Sequence, residues 1–344
     1  MKVSTVGLDL AKSVFQVHGV DEEGQVVARR QLRRSEVLKY FARVEPCLVG
    51  MEACASAHYW GRELEALGHE VRLMPPRRVK AYVKWGKKND ATDAEAICEA
   101  VTRPSMQFVP IKTEEQQSAL MLHRVRHQLI GQRTELKNAL RAHLGELGLV
   151  AARGDGGLSA LMAVVEQEGR LPELARQALR PLAAQIHGLS EQIAALGRAI
   201  QKWHEGNVRS RLLATIPQFG AVVSSAVIVT AGDVSRFDSG RQFSAWIGLV
   251  PIQNSSGGKD RLGGITKSGD RYLRQLLMIA ATGMIRRVRK DPSLSPWFAD
   301  LLARKPAKVA AIALANKLAR TVWAMLMSGE PFRHPCPAPL PASR

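Results

Sequence analysis

Acidic residues are scarce in this chain and aromatic residues scarcer. Its 344 residues carry 31 Asp and Glu against 49 Lys and Arg, a formal charge of +18, with a pI near 10.2. That balance argues against a cationic partner and for a polyanion, bound through phosphate contacts and counterion release. A ribosome-associated or membrane-surface protein is the blander reading of the same charge. Aromatics make up only 5% of the residues, so base stacking is not expected to dominate recognition. The four cysteines, Cys47, Cys54, Cys98 and Cys336, form no Cys-x-x-Cys pair and have no histidine at zinc spacing, which excludes a disulfide framework and a zinc site as readings and fits reduced cytoplasmic thiols. Also missing are a basic segment and apolar core at Met1 to Leu10, and any apolar run long enough to cross a bilayer. The expectation is a soluble, cytoplasmic protein with no membrane partner.

What is present is 46% hydrophobic residues, enough for two compact domains and a connector. The pattern from Val3 to Leu32 predicts three short strands, Val3 to Leu8, Val14 to Val20 and Val26 to Leu32, with Asp21 to Gly24 turning the last two into an antiparallel pair. A helix from Ser35 to Val44, a buried strand Cys47 to Met51, an amphipathic helix His58 to Leu67 and a strand Val71 to Met74 follow. Three strands, helix, strand, helix, strand is the order of an α/β ribonuclease H-like core. Thr113 to Leu147 then reads as one long helix, and Leu158 to Trp203, interrupted at Pro172 and Pro181, as a stretch folding back on it. This helical coiled-coil arm serves either as a dimer contact or as a spacer. Beyond it the chain is mostly α-helical, with helices expected at Arg211 to Ile216, Ala221 to Ala231, Gly240 to Ile247, Arg271 to Arg289 and Ala307 to Met327, and a glycine-rich loop from Gln253 to Gly269. Lys202 to Arg344 holds 21 Lys and Arg against 8 Asp and Glu, so most of the surplus positive charge falls here. The expected division is 1–112, 113–206, 207–332 and a proline-rich disordered tail, 333–344.

Four carboxylates stand out against this background. Asp9 falls at the end of the first strand, Glu52 just beyond the fourth, and Asp90 and Asp93 three apart where a helix begins. First and fourth strands are neighbours in a ribonuclease H-like sheet, and residues i and i+3 share a helix face, so all four are expected to converge. Such a cluster needs cations, and hard oxygen donors suit one or two Mg²⁺ or Mn²⁺ ions, which polarise phosphates and activate hydroxyls. Singly, each acid has a plainer role in a turn, a cap or a solvated surface. Arg77, Arg78, Lys80, Lys84, Lys87 and Lys88 precede Asp90 with no acid among them, a path for a nucleic-acid backbone or else a solvated basic helix.

The segments Gly7-Leu8-Asp9-Leu10-Ala11-Lys12, Met51-Glu52-Ala53 and Lys88-Asn89-Asp90-Ala91-Thr92-Asp93-Ala94 resemble the RuvC-like DEDD domain of transposases of the IS110 insertion-sequence family. Farther on, Ile216 to Gly220 resembles that family's hairpin-like turn, Phe243 to Pro251 its next block, and Lys267-Ser268-Gly269 with Leu273-Arg274 its carboxy-terminal signature. Gln218 departs from the pattern, standing where glycine would ease the turn. The resemblance implies a recombinase acting on donor and target DNA, guided by a structured non-coding RNA. It also implies a serine nucleophile, placed at Ser256 with Ser255 as the competing choice, and a composite site in dimers that pair into a tetramer on DNA. Residue pattern alone makes the Ser255 to Gly258 stretch a flexible connector. Lys259, Arg261, Lys267, Arg271 and Arg274 flank it as phosphate-binding candidates or as an ordinary solvated face. A Holliday-junction resolvase would share the acids and need no serine. A sugar-kinase-like ATPase would need a second glycine-rich turn, absent between Val71 and Thr113, and a non-catalytic binding protein would be indifferent to loss of the acids.

Overall fold

The structure, a computed structural model, describes residues 2–83, 90–167, 169–254 and 261–333. They form two compact units, Met1–Glu115 and Gln116–Arg344.

The first unit is built on a five-stranded sheet. Strands β1 (Thr5–Asp9), β2 (Val14–Val20) and β3 (Val26–Arg33) form an antiparallel meander, and after the short helix α1 (Val37–Phe41) the strand β4 (Leu48–Glu52) lies parallel to β1. Helix α2 (Ala57–Ala66) returns the chain to β5 (Glu70–Met74), parallel to β4, giving the order β3-β2-β1-β4-β5. The helix expected from Ser35 to Val44 is shorter than its apolar pattern suggests. Strand β3 runs on to Arg33, and the Glu36 carboxylate accepts the Arg33 backbone N–H at 2.7 Å, closing a 3-10 turn that delays the helix to Val37. The basic stretch opens with one helical turn, α3 (Pro76–Val79).

Helix α4 (Asp90–Val101) covers one face of this sheet, and its fit depends on two glycines. A Cβ at Gly7 of β1 would stand 2.1 Å from the Ala94 carbonyl oxygen and 2.5 Å from the Cys98 nitrogen, and one at Gly50 of β4 would stand 2.7 Å from the Val101 Cβ. Glycine inside a strand marks such a close backbone approach. The helix lies on the sheet through Ala94, Ile97, Cys98 and Val101, all buried, and its amino terminus ends up beside the carboxyl end of β1.

In the second unit, α5 (Glu114–Gly145), α6 (Asp155–Glu166) and α7 (Glu173–Gly206) pack together. Helices α5 and α7 run antiparallel, with contacts recurring every six or seven residues. Leu120 shares a cluster with Trp203, Arg126 lies against Gly197, Arg133 donates to Ser190 Oγ at 3.2 Å, and Leu140 packs with Ala183. Pro172 caps α7 as a break should, but Pro181 lies inside it. Proline removes one backbone hydrogen bond; here it sits on the exposed side, while Leu179, Ala183, Ile186, Ile193 and Ile200 bury the other, and that packing holds the helix through the proline.

The remaining helices surround α9 (Ala221–Ala231), which is buried almost throughout. They are α8 (Val208–Leu213), α10 (Gly240–Ile247), α11 (Arg271–Lys290), α12 (Pro296–Arg304) and α13 (Ala307–Ser328). Helix α8 starts three residues earlier than its apolar pattern suggests, because the Asn207 side chain caps it by accepting the Ser210 N–H at 2.9 Å. Helix α12 escaped the sequence reading, although Pro296 at its first position is a start signal and Phe298 is its buried anchor. Two short strands pair antiparallel, β6 (Pro251–Gln253) at the start of the stretch expected to be a loop from Gln253 to Gly269 and β7 (Leu262–Ile265) within it. Helix α13 corrects the expectation that no segment is long enough for a bilayer. It has the length and mean hydropathy to span one, and it packs Ala310, Ala311, Leu314, Ala315, Leu318 and Val322 into the core.

Buried His123 of α5 ties three helices of this unit together. Its Nε2 and Nδ1 lie 3.0 Å from Ser225 Oγ of α9 and 3.2 Å from the Tyr272 hydroxyl of α11. Burial pushes the imidazole down to about 4, so it stays neutral, and because Ser225 donates to the Ala221 carbonyl, Nε2–H is the donor to Ser225 and Nδ1 accepts from Tyr272.

Substituting Gly7→Ala should lower the stability of the chain by about 3 kcal/mol, since the added methyl meets helix backbone that cannot rotate away. Gly131→Ala, in the exposed middle of α5 with nothing near the new methyl, should raise it by about 0.5–1 kcal/mol. Urea unfolding midpoints of the two variants read the contrast.

Candidate metal and phosphate site

Asp9 is the last residue of β1 and Glu52 the last of β4, one step beyond the paired residues Leu8 and Met51. Parallel pairing therefore delivers both carboxylates to one end of the sheet. Asp90 and Asp93 occupy the first turn of α4, where the helix dipole favours negative charge, and the seating of α4 on Gly7 and Gly50 carries that turn to the same place. The electrostatics record the convergence. The Asp9 carboxyl is pushed up to about 6, first by burial and then by the charges of Asp93 and Asp90. Glu52 is also raised, by burial and then by Asp9 and Asp93. Burial, Glu52 and Asp9 push up the exposed Cys54 thiol, a neighbour the sequence reading did not single out.

Asp9 thus lies within electrostatic reach of Asp90 and Asp93, and Glu52 of Asp9 and Asp93. Among the described residues, however, no three acidic, His or Cys side chains stand close enough to enclose an ion. The donor set nevertheless fits a hard divalent cation. It is all oxygen and half-buried at Asp9, Glu52 and Asp93, the donor type that hard divalent ions take.

Of the basic candidates in this unit, Arg77 and Arg78 on α3 and Lys80 just after it are exposed. Arg78 is partly committed, donating to Gln107 Oε1 at 2.8 Å. Lys84, Lys87 and Lys88 lie outside the described residues.

In the second unit the residues on either side of the serine stretch are ordered by strand pairing. Strands β6 and β7 form the arms of a hairpin, and the Asn254 N–H donates to the Arg261 carbonyl at 2.8 Å. Ser255, Ser256 and Lys259 lie outside the described residues. Past β7 the chain presses onto the end of α10. Gly248 and Gly269 have φ of 82° and 72°, and a Cβ on either would stand about 2 Å from a backbone oxygen, Ser268 O at 2.2 Å or Trp246 O at 2.0 Å. Arg274 fastens this contact from α11, its Nη1 donating to the Ile247 carbonyl at 2.8 Å and to the Ser268 carbonyl at 2.5 Å. Arg274 therefore serves first as a brace for the loop, a use of arginine that composition does not reveal. Arg261, Lys267 and Arg271 are exposed. Gln218 adopts φ of 73° in the turn closed by Phe219 N–H and the Ile216 carbonyl, the left-handed conformation for which glycine is the easier residue.

The raised Asp9 fixes a pH dependence for the metal-free chain. A carboxyl whose folded value exceeds its unfolded one binds protons better when folded, so stability falls as pH rises from about 3.8 through about 6. Asp9→Asn removes this cost. In chelator it should raise stability at pH 7 by about 1 kcal/mol, after allowing for solvent screening of a half-exposed group, and by nothing near pH 4. Denaturant titrations at the two pH values give the comparison.

Comparisons with known proteins agree with these features. Residues 6–148 match the DEDD transposase model of the IS110 type, and residues 210–296 match the transposase IS116/IS110/IS902 family. A probable family 20 transposase of Pseudomonas aeruginosa is 51% identical over 97% of this chain and 99% of its own length. The transposase for insertion sequence element IS1328 of Yersinia enterocolitica is 39% identical over 96% of the chain and 98% of its length. The transposase for insertion sequence element IS1111A of Coxiella burnetii is 37% identical over 96% and 92%. With acids assembled at the end of an α/β sheet, a mostly helical second unit and relatives matching along nearly the whole chain, this protein belongs to the IS116/IS110/IS902 family of transposases.

Proposed function

We propose that this transposase cuts and rejoins DNA with Ser256 as nucleophile, assisted by Mg²⁺ or Mn²⁺ held by Asp9, Glu52, Asp90 and Asp93, and directed by a structured non-coding RNA. The observation that carries the reading is the convergence of four acids from three separate segments, β1, β4 and α4, at one end of the sheet. The strand order β3-β2-β1-β4-β5, antiparallel across the first three and parallel across the last, supports a ribonuclease H-like, RuvC-like domain at 1–112. A coiled-coil arm at 113–206 and a serine-bearing domain at 207–332 complete the proposed division.

The serine hydroxyl attacks a phosphodiester: an Oγ–P bond forms, the bond from phosphorus to one DNA oxygen breaks, and the hydroxyl proton passes to a base. The resulting phosphoserine conserves the bond energy for rejoining to a second DNA end. A divalent cation on the four carboxylates supplies charge neutralisation at the phosphate and eases deprotonation of a hydroxyl. Arg261, Lys267, Arg271 and Lys259 position DNA phosphates around the serine hairpin, and Arg77, Arg78, Lys80, Lys84, Lys87 and Lys88 track a backbone toward the acids. Bringing serine and acids to one phosphate involves two protomers, in dimers that pair as a tetramer on DNA.

Strand exchange on donor and target DNA, resolved on denaturing gels, tests this. Ser256→Ala should abolish the covalent protein–DNA adduct and strand exchange, and Asp9→Ala should reduce cleavage on the order of 1,000-fold or more while DNA binding persists. Cutting that survives in Ser256→Ala would identify a resolvase-like hydrolysis instead, and cleavage indifferent to Asp9→Ala would remove the metal site from the reaction.

A further inference from the structure

A second feature of the first unit lies outside the sites above. An open cleft of about 770 Å³ is lined by Lys12, Arg33, Arg34, Tyr59 and Trp60, among others, with no acidic residue in its wall. Its position follows from the sheet register. Val14 pairs with Arg33, and the Arg34 N–H donates to the Ser13 carbonyl at 3.0 Å, so the β1–β2 turn and the end of β3 adjoin. Lys12 lies three residues after Asp9, at the end of the sheet where Asp9 and Glu52 emerge.

The chemistry of the wall is one-sided. Among the described residues none of Lys12, Arg33 and Arg34 forms an ion pair, and nearby Glu36 is turned onto the Arg33 backbone N–H. The Arg34 guanidinium lies over the Trp60 ring, 5.0 Å from its centroid. Tyr59 stands edge-on to Trp60 at 5.1 Å and is 40% exposed. Trp60 itself is 3% exposed, and its ring N–H has no acceptor among the described residues, an unusual state for a buried donor.

Three cations without counterions beside an exposed aromatic ring are what an unpaired nucleotide requires. The phosphate takes the cations and the base stacks on the ring, a face that duplex DNA, with its bases already stacked, cannot use. We propose that this cleft is a single-strand nucleic-acid subsite, holding the phosphate of an unpaired nucleotide on Lys12, Arg33 and Arg34 and its base on Tyr59. Its placement beside the scissile phosphate rests on Asp9 belonging to the reaction centre; its binding chemistry does not. DNA strand and RNA share that chemistry.

The test is fluorescence anisotropy of the full chain in chelator, with a labelled oligothymidylate, an oligouridylate and a blunt DNA duplex, over a range of salt. Lys12→Ala with Arg33→Ala should weaken one or both single strands roughly tenfold and lower the salt slope by roughly 0.7 per lost phosphate contact. Tyr59→Ala should weaken the same strands roughly tenfold with the slope unchanged. Whichever of DNA and RNA loses more is the strand the cleft holds, and the duplex should change little. Lys39→Ala, on α1 and outside the cleft, is the control for a general loss of charge. Arg34 is left intact because its packing on Trp60 also serves the fold, and unfolding midpoints confirm that the variants fold. Single-strand binding unchanged in the cleft variants, or lost equally for the duplex, would overturn the proposal. Asp9→Asn separates the two readings: retained cleavage there would sink the catalytic assignment, while tenfold losses in the cleft variants would still establish the subsite.

Discussion

The contact between α4 and the sheet is the constraint on which the first unit turns. Gly7 and Gly50, on adjacent parallel strands, leave out the side chains that would hold a helix at ordinary distance, and α4 settles with its own backbone against β1. A helix seated that closely cannot slide or rotate by much, so the place of its first turn is decided by the two glycines. Asp90 and Asp93 belong to that turn, and Asp9 and Glu52 are the last residues of the two strands beneath. Packing thus holds these carboxylates partly out of solvent and beside one another, and Asp9 and Glu52 are raised first by that burial and then by the charges of their acidic neighbours. The DEDD-type domain implies use of a divalent metal, and a cation bound at such carboxylates would offset the cost of holding them together.

The same device recurs in the second unit. Gly248 and Gly269 allow the segment after β7 to meet the end of α10 backbone to backbone, and Arg274 clamps the two from α11. The β6–β7 hairpin is thereby fixed at its base on a rigid helical core. Such anchoring limits the freedom of the segment that leads into the hairpin, and limited freedom is what lets positioned groups act in catalysis. His123, held neutral between Ser225 and Tyr272, ties the start of α11 to α5 and α9.

Much of this was legible in the residues. Alternating and continuous apolar runs located all five strands of the sheet, and the strand order placed Asp9 and Glu52 at the same end of the sheet, where Asp93 also reaches them. The seating of α4 was not legible, because a strand glycine can equally mark a bulge or a weak strand, and only the helix lying on it decides which. Pro181 misled for the converse reason: its local cost was outweighed by a buried face extending from Leu179 to Ile200. The hairpin of β6 and β7 hid in a glycine-rich stretch with exposed arms, where no apolar periodicity exists to be read. Arg274 looked like one more phosphate ligand because a sequence gives charge but not hydrogen-bond partners.

If four acids act as one set because α4 is locked onto β1 and β4, binding of a divalent ion must depend equally on residues from the helix and from the strands. Titration of the full chain with Mn²⁺, followed by electron paramagnetic resonance of the free ion, measures this. The account predicts one or two bound ions per chain, with Asp93→Asn on the helix abolishing binding as completely as Asp9→Asn on the strand. Undiminished Mn²⁺ binding by the Asp93→Asn chain, or no binding by the unaltered protein at millimolar ion, would contradict it.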